Sequence, residues 1–449
     1  MANSLGQDLK ELLRLALPAI GSRLGLLLLG FVDTVMVGRF ETPELAALSL
    51  ANRAAVLTLI VVAIGLLMGV IVATASAFGA GDPREAGRVW RRSIPYAFAI
   101  GLLMAGIAFA SVWWMPYLAG EGALVARATT LVRILAIGIP AHLLFFCSTA
   151  FLEGVRRPIV PMLMLAGANL VNLLLDWLLV YGIGPWPALG AAGAAWASTI
   201  LRWLLAGIGA AYVLFHPSMA VFAARRPHRQ RWREWAHQRA LGYASAVSIG
   251  AEVGAFAGLV LIAERLGALV LAGQEIAMNL LTLPFMLAVG FGSASAVLVG
   301  AARGRGDIVG VRRAGWSGLG VAMATSGAAG LLIALAAGPL FRLHSHDAAL
   351  AVIAIPALRW IGAIAPFDGG QATISMGLRG MGETWWPTAI QMVAYLVLML
   401  PLAVWLGLYA GGGLVGLMQA TMIASVFSVA ALALRFHRLT RASAVSRTS

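Results

Sequence analysis

Long apolar stretches alternate with short polar loops along the whole chain. Runs of twenty or more mostly apolar residues recur from end to end. This pattern is typical of transmembrane helices, because about 20 residues cross the hydrocarbon core of a bilayer. The strands of an outer-membrane barrel would instead show short segments of alternating polarity. We therefore predict an all-α polytopic membrane protein with twelve transmembrane helices, at residues 13–37, 46–75, 93–115, 127–152, 159–181, 190–215, 240–263, 270–301, 314–341, 350–377, 386–409 and 413–434.

The basic residues lie in alternate loops, on one side of the predicted membrane. The loops on the other side are poor in arginine, which is the positive-inside pattern. We therefore expect a multi-pass protein of a bacterial cytoplasmic (inner) membrane, with both termini in the cytoplasm. The basic groups are Lys10 and Arg14, Arg84 to Arg92, Arg156 and Arg157, Arg225 to Arg239, Arg303 to Arg313, Arg379, and Arg435 to Arg447.

The composition narrows the class of protein and its partners. Only 11% of the residues are charged, compared with about 25% in soluble proteins. The net charge of +14 comes from the cytoplasmic loops, so we expect no nucleic-acid partner. The central basic loop, residues 216–239, contains tryptophan and suits contact with anionic membrane lipid. A solvated linker between two halves is an equal alternative for this loop.

The two halves of the chain repeat each other. The positions of Pro140 and Pro366 differ by 366 − 140 = 226, and three further pairs share this offset. Six helices per half is an even number, so both halves enter the membrane from the same side. The other pairs are Arg133 and Arg359, Gly154 and Gly380, and Pro161 and Pro387. We predict a parallel repeat with a first six-helix lobe at 1–215, a basic cytoplasmic linker at 216–239, a second six-helix lobe at 240–435 and a cytoplasmic tail at 436–449.

Four carboxylates lie well inside the predicted spans. An ionised carboxylate near mid-membrane costs about 2.5–3.5 kcal/mol on insertion scales, so each one needs a reason. One explanation is structural, with each carboxylate paired to an arginine or an amide. Arginine partners are few, because Arg23, Arg53, Arg133, Arg202 and Arg359 lie mostly toward span ends. A functional role is therefore the stronger hypothesis for the set of Asp33, Asp176, Glu252 and Asp368.

Helix register predicts a polar cluster in the first lobe. Asn169, Asn172 and Asp176 are spaced by three and four residues, so they share one helical face. Asp33 and Asp176 each precede the outer end of their helix by five or six residues, about 8–9 Å at about 1.5 Å per residue. Ser198 reaches a similar depth. We expect Asp33, Asn172, Asp176 and Ser198 to form one site, where a cation or a proton relieves the repulsion between the carboxylates.

The second lobe has its own carboxylates. Glu252 lies near the middle of helix seven, and Asp368 lies in helix ten, where Pro366, Gly369 and Gly370 should weaken the helix locally. A bent helix that presents a carboxylate is one way in which transporters build sites. Other polar residues either line a cavity or form interhelical hydrogen bonds. These residues are Asn169, Gln274, Glu275, Gln371, Gln391 and Tyr395.

The sequence contains no enzyme signature. It has no phosphate-binding G-x-x-x-x-G-K loop, no H-E-x-x-H motif and no G-x-S-x-G motif. We therefore expect neither catalysis nor a cofactor. The energy for any transport should come from an ion gradient, with H⁺ or Na⁺ as the coupling ion.

Residues 10–435 resemble the multidrug and toxic compound extrusion (MATE) family. The resemblance rests on several stretches together, among them LALPAIGSRLGLLLLGFVDTVMVGRF, the GDPREAGRVWRRS loop and LRGMGETWWP. It implies two lobes around a cavity and the export of drugs or organic cations in exchange for sodium ions or protons. Asp33 resembles the first-helix carboxylate of the family. Asn172 and Asp176 resemble the N-xxx-D pair of DinF-like members, and Ser198 stands where such members often have threonine.

The second lobe resembles NorM-like members of the same family. Glu252 and Asp368 match their second-lobe carboxylates, although Gln274 and Glu275 stand where a His-Gln pair is common. The resemblance leaves both lobes as candidates for coupling, with a sodium site at Asp33, Asn172 and Asp176 as one option. The implied protein is a monomeric secondary active antiporter that exports small organic cations, drugs or other xenobiotics.

Two other classes of protein remain open at this stage. A lipid-linked saccharide flippase of the same superfamily would handle anionic pyrophosphate headgroups, and arginines should then line its cavity. Here the carboxylates dominate inside the spans. An ion channel or a scaffold is the least favoured of these classes, and it would show neither counter-transport nor saturation.

Overall fold

The computed structural model describes residues 5–52, 57–120, 122–182, 187–226 and 231–445. Within these ranges every regular element is a helix, as the apolar pattern predicts. In these described ranges, ten helices are long and apolar enough to cross a membrane, and two bent helix pairs raise the number to as many as twelve. This agrees with the predicted all-α architecture. Arg53 and parts of the loop at 182–190, the linker and the tail lie outside the described residues.

The described part of the first half contains nine α-helices. They share an apolar core that includes, for example, Val37 from the first and Ile139 from the seventh. The helices are α1 (Leu5–Phe40), α2 (Thr42–Ala51), α3 (Leu57–Gly79), α4 (Pro83–Phe109), α5 (Ser111–Ala119), α6 (Ala123–Ile137), α7 (Ile139–Gly154), α8 (Ile159–Tyr181) and α9 (Ala191–Phe215).

The described part of the second half is also helical. Its predicted span 386–409 contains two π-helical segments, Val393–Met399 and Val404–Tyr409. Such wide turns are rare and often lie at functional sites. The α-helices are α10 (Ala236–Arg265), α11 (Ala268–Gly304), α12 (Ile308–Leu335), α13 (Ala337–His344), α14 (Ala348–Arg359), α15 (Ile361–Gly380), α16 (Trp385–Met392), α17 (Leu400–Ala403) and α18 (Gly413–Val445).

The chain divides into two compact units. The first unit comprises Gly21–Phe78 and Asp82–Ala246. The second unit comprises the described residues up to Ile20, Gly79–Gly81, and the described residues from Val247 onward. The start of α1 therefore packs with the second unit, although it precedes the first unit in sequence. The predicted boundaries at 215 and 240 stay a prediction.

The repeat is visible in the way two equivalent helices begin. Asp82 caps α4 by accepting a hydrogen bond from the backbone N–H of Glu85, at 2.9 Å. Asp307 caps α12 in the same way, from Gly310 at 2.8 Å. Each aspartate follows a glycine with positive φ, 80° at Gly81 and 72° at Gly306. A left-handed residue and a capping side chain together fix where each helix starts.

Two spans are broken rather than continuous. The axes of α6 and α7 differ by 44°, and those of α14 and α15 by 46°. Pro140 follows the first break by one residue within α7. Pro366 is the sixth residue of α15, so its missing N–H and its ring act on the first turn of that helix, next to the second break. The bends thus lie on the N-terminal side of each proline.

The expected weakening of the helix at Asp368 is wrong. The helix α15 runs without interruption through Pro366, Gly369 and Gly370. A Cβ atom on Gly369 would come within 2.6 Å of Ser326 Oγ, and one on Gly370 within 2.8 Å of Met323 Cγ. These glycines permit close packing against α12, and the bend lies further back, at Trp360.

The described parts of the linker pack on the first unit. They form two 3₁₀ turns, Pro217–Phe222 and Trp232–Trp235. The guanidinium of Arg239 lies 3.8 Å from the ring centroid of Trp232 and 4.5 Å from that of Trp235. Cation–π contacts of this kind hold the end of the linker beside the start of α10.

Candidate functional site

The structure brings the four predicted first-lobe residues together inside the first unit. The Asn172 amide nitrogen donates hydrogen bonds to Asp33 Oδ1 at 2.7 Å and to Asp176 Oδ2 at 3.0 Å. Ser198 Oγ donates to Asp33 Oδ2 at 2.6 Å. Three helices supply these groups: α1 carries Asp33, α8 carries the Asn172 and Asp176 pair, and α9 carries Ser198.

This cluster is buried and rich in oxygen atoms. Asn172 and Asp176 are fully buried, and Asp33 is 8% exposed. Asn172 Oδ1 and Asp176 Oδ1 have no hydrogen-bond partner among the described residues. Buried acceptors without partners are costly, and a proton or a hard cation satisfies carboxylate and amide oxygens. Within the described residues no group of three or more His, Cys, Asp or Glu side chains lies close enough to hold a metal ion. Any cation would therefore depend on the amide and hydroxyl oxygens as well.

Asn169 lies apart from the carboxylates, although it shares their helix face. Its side-chain nitrogen donates to the backbone oxygens of Leu165, at 2.8 Å, and Gly25, at 3.1 Å. It therefore ties α8 to α1 in the half-buried interior of the first unit. Interhelical hydrogen bonding, one of the two alternatives for this residue, is the one that the geometry favours.

Arg202 is a further charged group at this site, and the sequence pattern does not assign it there. It lies in the middle of α9, one turn after Ser198, and not near a span end. Its charge interacts with that of Asp33, and its side chain is half-buried. The i, i+4 spacing from Ser198 is the sequence signal that links Arg202 to the cluster. His142 lies near Arg202 at the start of α7.

A second polar network lies in the second unit, centred on Gln391. The Gln391 amide nitrogen donates to Gln371 Oε1 at 2.8 Å. Its amide oxygen accepts from Ser248, from Ser375 at 3.3 Å and from Arg379 at 3.5 Å. Every one of these side chains is buried. The network joins α10, α15 and α16 through side chains, as expected of buried polar groups inside a helical membrane protein.

The predicted second-lobe carboxylates adjoin this network. The hydroxyl of Tyr395, in the first π-helical segment, donates to Asp368 Oδ1 at 3.4 Å. Glu252 is half-buried on α10, one turn after Ser248, and its charge interacts with those of Asp368 and Arg379. Arg379 therefore supplies a positive charge to this site. The second unit has fewer uncompensated negative charges than its carboxylates alone suggest.

Gln274 and Glu275 are adjacent on α11. Gln274 is fully buried, and neither of its amide atoms has a hydrogen-bond partner among the described residues. Glu275 is half-buried, and successive helix residues point about 100° apart. Their predicted role as cavity residues stays a prediction.

The repeat also places opposite charges at equivalent positions. Glu153 and Arg379 share the offset of the repeated prolines and lie in the matching stretches LEG and LRG. In the first unit Glu153, on α7, forms an ion pair with Arg23 of α1, with Arg23 Nη2 3.7 Å from Glu153 Oε1. In the second unit Arg379, on α15, faces the charge of Glu252 on α10. Each unit therefore has one acidic and one basic residue here, but the acidic residue of the first unit stands where the second unit has its basic residue.

Comparison with known proteins decides the family. The model of one family, MatE, matches this chain twice, at residues 18–178 and 244–405. Together the two matches cover more than half of the chain. The chain belongs to the MatE family. The starts of the two matches, residues 18 and 244, have the same offset as the repeated prolines. MatE proteins are membrane transporters and not enzymes, as the missing enzyme motifs predict.

Relatives and solved structures agree with this assignment. The chain is 36% identical over 441 residues to a probable multidrug resistance protein NorM of Caulobacter vibrioides, covering 96% of this chain and 92% of that protein. It is 28% identical to the multidrug resistance protein PmpM of Pseudomonas aeruginosa, covering 89% and 84%. An outward-facing multidrug resistance MATE family transporter of the MOP superfamily has the same fold, with a TM-score of 0.88, 21% identity and coverage of 98% and 97%.

Proposed function

We propose that this MatE protein is a secondary active antiporter that exports small organic cations and other drugs in exchange for H⁺ or Na⁺. The named relatives are multidrug resistance proteins, which supports drug export. The observation that carries the proposal is the buried cluster of Asp33, Asn172, Asp176 and Ser198. A buried pair of carboxylates with unpartnered oxygens is a place where an ion can bind and leave.

The charges at this cluster favour exchange of one monovalent cation. When all three are ionised, Asp33, Asp176 and Arg202 carry a single net negative charge. One proton or one sodium ion neutralises it. A membrane potential contributes about 2.3 kcal/mol per charge per 100 mV, so inward movement of one cation can drive the export of a neutral drug. Exchange of one cation for one monovalent organic cation moves no net charge, and the concentration gradient of the coupling ion then drives it.

Neutralisation of Asp33 should also change the packing of α1. Asp33 is held by Asn172 and Ser198 while it accepts both hydrogen bonds. A bound cation or proton neutralises the carboxylate and weakens both hydrogen bonds that it accepts, and a conformer of α1 with different contacts then becomes favourable. Export then follows from the difference in ion affinity between the two conformers.

Vesicles containing the purified full chain test this function. We expect an imposed Na⁺ or pH gradient to drive ethidium or a fluoroquinolone across the membrane with saturation, and an ionophore that collapses the gradient to abolish this transport. Protein-free vesicles are the control. If neither compound moves under either gradient, the proposal is wrong. Movement of a lipid-linked saccharide without drug transport would indicate the flippase, and unsaturable ion flow alone would indicate a channel.

The proposed orientation has its own test. With Cys147→Ser as background, Arg231→Cys should react with an impermeant maleimide only from the cytoplasmic side, because the positive-inside pattern places the linker there. His346→Cys, in an exposed loop on the predicted opposite side, is the matched control and should react only from outside. Labelling of Arg231→Cys from outside in intact cells would refute the topology.

A further inference from the structure

Residues 198–203 of α9, between one and two helical turns, contact both the Asp33 cluster and the break between α6 and α7. Ser198 donates to Asp33. The next three polar side chains of this segment point to α6. Thr199 Oγ1 donates to the backbone oxygen of Ile134 at 3.0 Å, Arg202 Nη1 to that of Leu135 at 3.3 Å, and Trp203 Nε1 to that of Ile137 at 3.1 Å.

Two of these three bonds, those to Ile134 and Ile137, satisfy carbonyl groups that the break leaves without a backbone partner. The bond from Arg202 is a second one to the Leu135 carbonyl. The last four carbonyls of a helix have no partner within that helix. In α6 they belong to residues 134–137, and Pro140, at the second position of α7, has no N–H to offer. The N–H of Gly138 bonds to the oxygens of Leu135 and Ala136. The side chains of α9 bond to the others, so α9 holds the end of α6.

We propose that residues 198–203 of α9 form a positioning element that couples neutralisation of Asp33 to the angle between α6 and α7. The inference rests on the proposed function, in which Asp33 binds the exchanged ion. Arg202 is the link, because it interacts with the Asp33 charge and donates to the end of α6. Loss of the charge on Asp33 removes one of its two partners and shifts Arg202 toward the other.

A change of this angle would also act on α1 through α7. The helix α7 begins at the break and ends at Gly154, and its Glu153 is paired with Arg23 of α1. Nearly every residue of α7 is buried, so the helix moves as a packed body. The helix α1, which carries Asp33, is therefore linked to the break between α6 and α7 at two points within the first unit.

Variants that keep shape but remove single donors test the coupling. Thr199→Val and Trp203→Phe, combined, delete two of the three bonds to α6. Thr130→Val with Trp196→Phe is the matched control, because Thr130 makes only an intrahelical bond to Ala126 on an exposed face and Trp196 is an exposed residue of α9. We expect the test pair to lower gradient-driven ethidium export by about tenfold, with ethidium affinity unchanged and the control pair near wild type.

A distance between α6 and α8 distinguishes coupling from a merely structural role, because only coupling makes this distance depend on the ion. Spin labels at Leu124 and Ile159, exposed positions at the start of α6 and of α8, report the bend in a Cys147→Ser background. A change of about 20° in the 44° bend shifts their separation by about 2 Å. We expect this shift when Na⁺ is added or the pH is lowered in the wild type, and no shift in the test pair.

The outcomes separate this inference from the proposed function. If the test pair keeps both ion-driven export and the ion-dependent distance, while Asp33→Asn loses both, the positioning role is wrong and the function stands. If Asp33→Asn keeps both, the ion site itself is wrong. If the control pair loses as much as the test pair, the effect is nonspecific and the inference fails. Arg202→Met, which removes the link while Thr199 and Trp203 still hold α6, should abolish the distance shift even if the test pair folds poorly.

Discussion

Replacement of Asp33 by asparagine should reduce gradient-driven export to the level of protein-free vesicles. The amide keeps the size of the side chain and can still meet Asn172 and Ser198, so the protein should fold and insert. It cannot take up a charge-neutralising ion, because it is already neutral. Ethidium binding measured at equilibrium should persist, while ion-driven ethidium movement in vesicles should not.

The second unit supplies the competing variants for this experiment. Glu252→Gln and Asp368→Asn make the same chemical change at carboxylates that already have Arg379 or Tyr395 nearby. We expect them to retain ion-driven export, although with altered ethidium affinity. If Asp33→Asn exports at the wild-type rate while either second-unit variant is inactive, the coupling site lies in the second unit and the assignment to Asp33 is wrong.

Replacement of Arg23 by alanine should lower the free energy of unfolding by about 3 kcal/mol, because it removes a guanidinium from the buried Glu153 carboxylate. Glu153 is only 3% exposed, so water cannot replace the lost partner. Denaturant or thermal unfolding in detergent measures the change. A double variant, Arg23→Leu with Glu153→Leu, should recover much of the loss because it removes both charges.

A surface ion pair is the control for this prediction. Arg88 Nε lies 2.6 Å from Glu85 Oε2, a shorter contact than that of Arg23, but both side chains are about one-third exposed. Arg88→Ala should therefore change the free energy of unfolding by less than about 1 kcal/mol. Equal losses in Arg23→Ala and Arg88→Ala would show that burial does not govern the Arg23 pair.

The charges of the two units differ in a way that suits different ligands. The first unit joins two carboxylates through one amide, and the charge of Arg202 interacts with that of Asp33. The second unit joins a carboxylate and a tyrosine to an amide network that includes a buried arginine. The first arrangement suits reversible binding of a small cation. The second has more hydrogen-bonding groups per charge and suits the positioning of a larger polar ligand.

Helix register alone predicts the cluster of polar residues in the first unit. The positions of Asp33, Asn172, Asp176 and Ser198 follow from the ends of three spans and the constant rise per residue of an α-helix. Membrane helices cannot vary much in length or direction, so depth along one helix predicts depth along its neighbours. Hydrogen bonds of 2.6–3.0 Å among these residues agree with that reasoning.

The register of a helix does not predict how the helix is rotated about its axis. Arg202 is one of five arginines that the sequence places near the spans, and the structure shows that it is half-buried and interacts with the charge of Asp33. The apolar residues of α9 surround the helix, so the pattern of polar positions does not reveal which side faces α6. Contacts with the Leu135 and Ile137 carbonyls settle the rotation, and these become available only because α6 ends there.

By itself, the sequence determined the class of fold, the repeat and the common level of Asp33, Asn172, Asp176 and Ser198 along their helices. These properties depend on the length of apolar runs and on the constant geometry of a helix, which are local. The tertiary structure alone decided where the spans break, that Gly369 and Gly370 serve close packing, and which arginine meets which carboxylate. Those features depend on which faces of different helices meet, and inside a membrane an almost uniformly apolar helix surface carries little information about that choice.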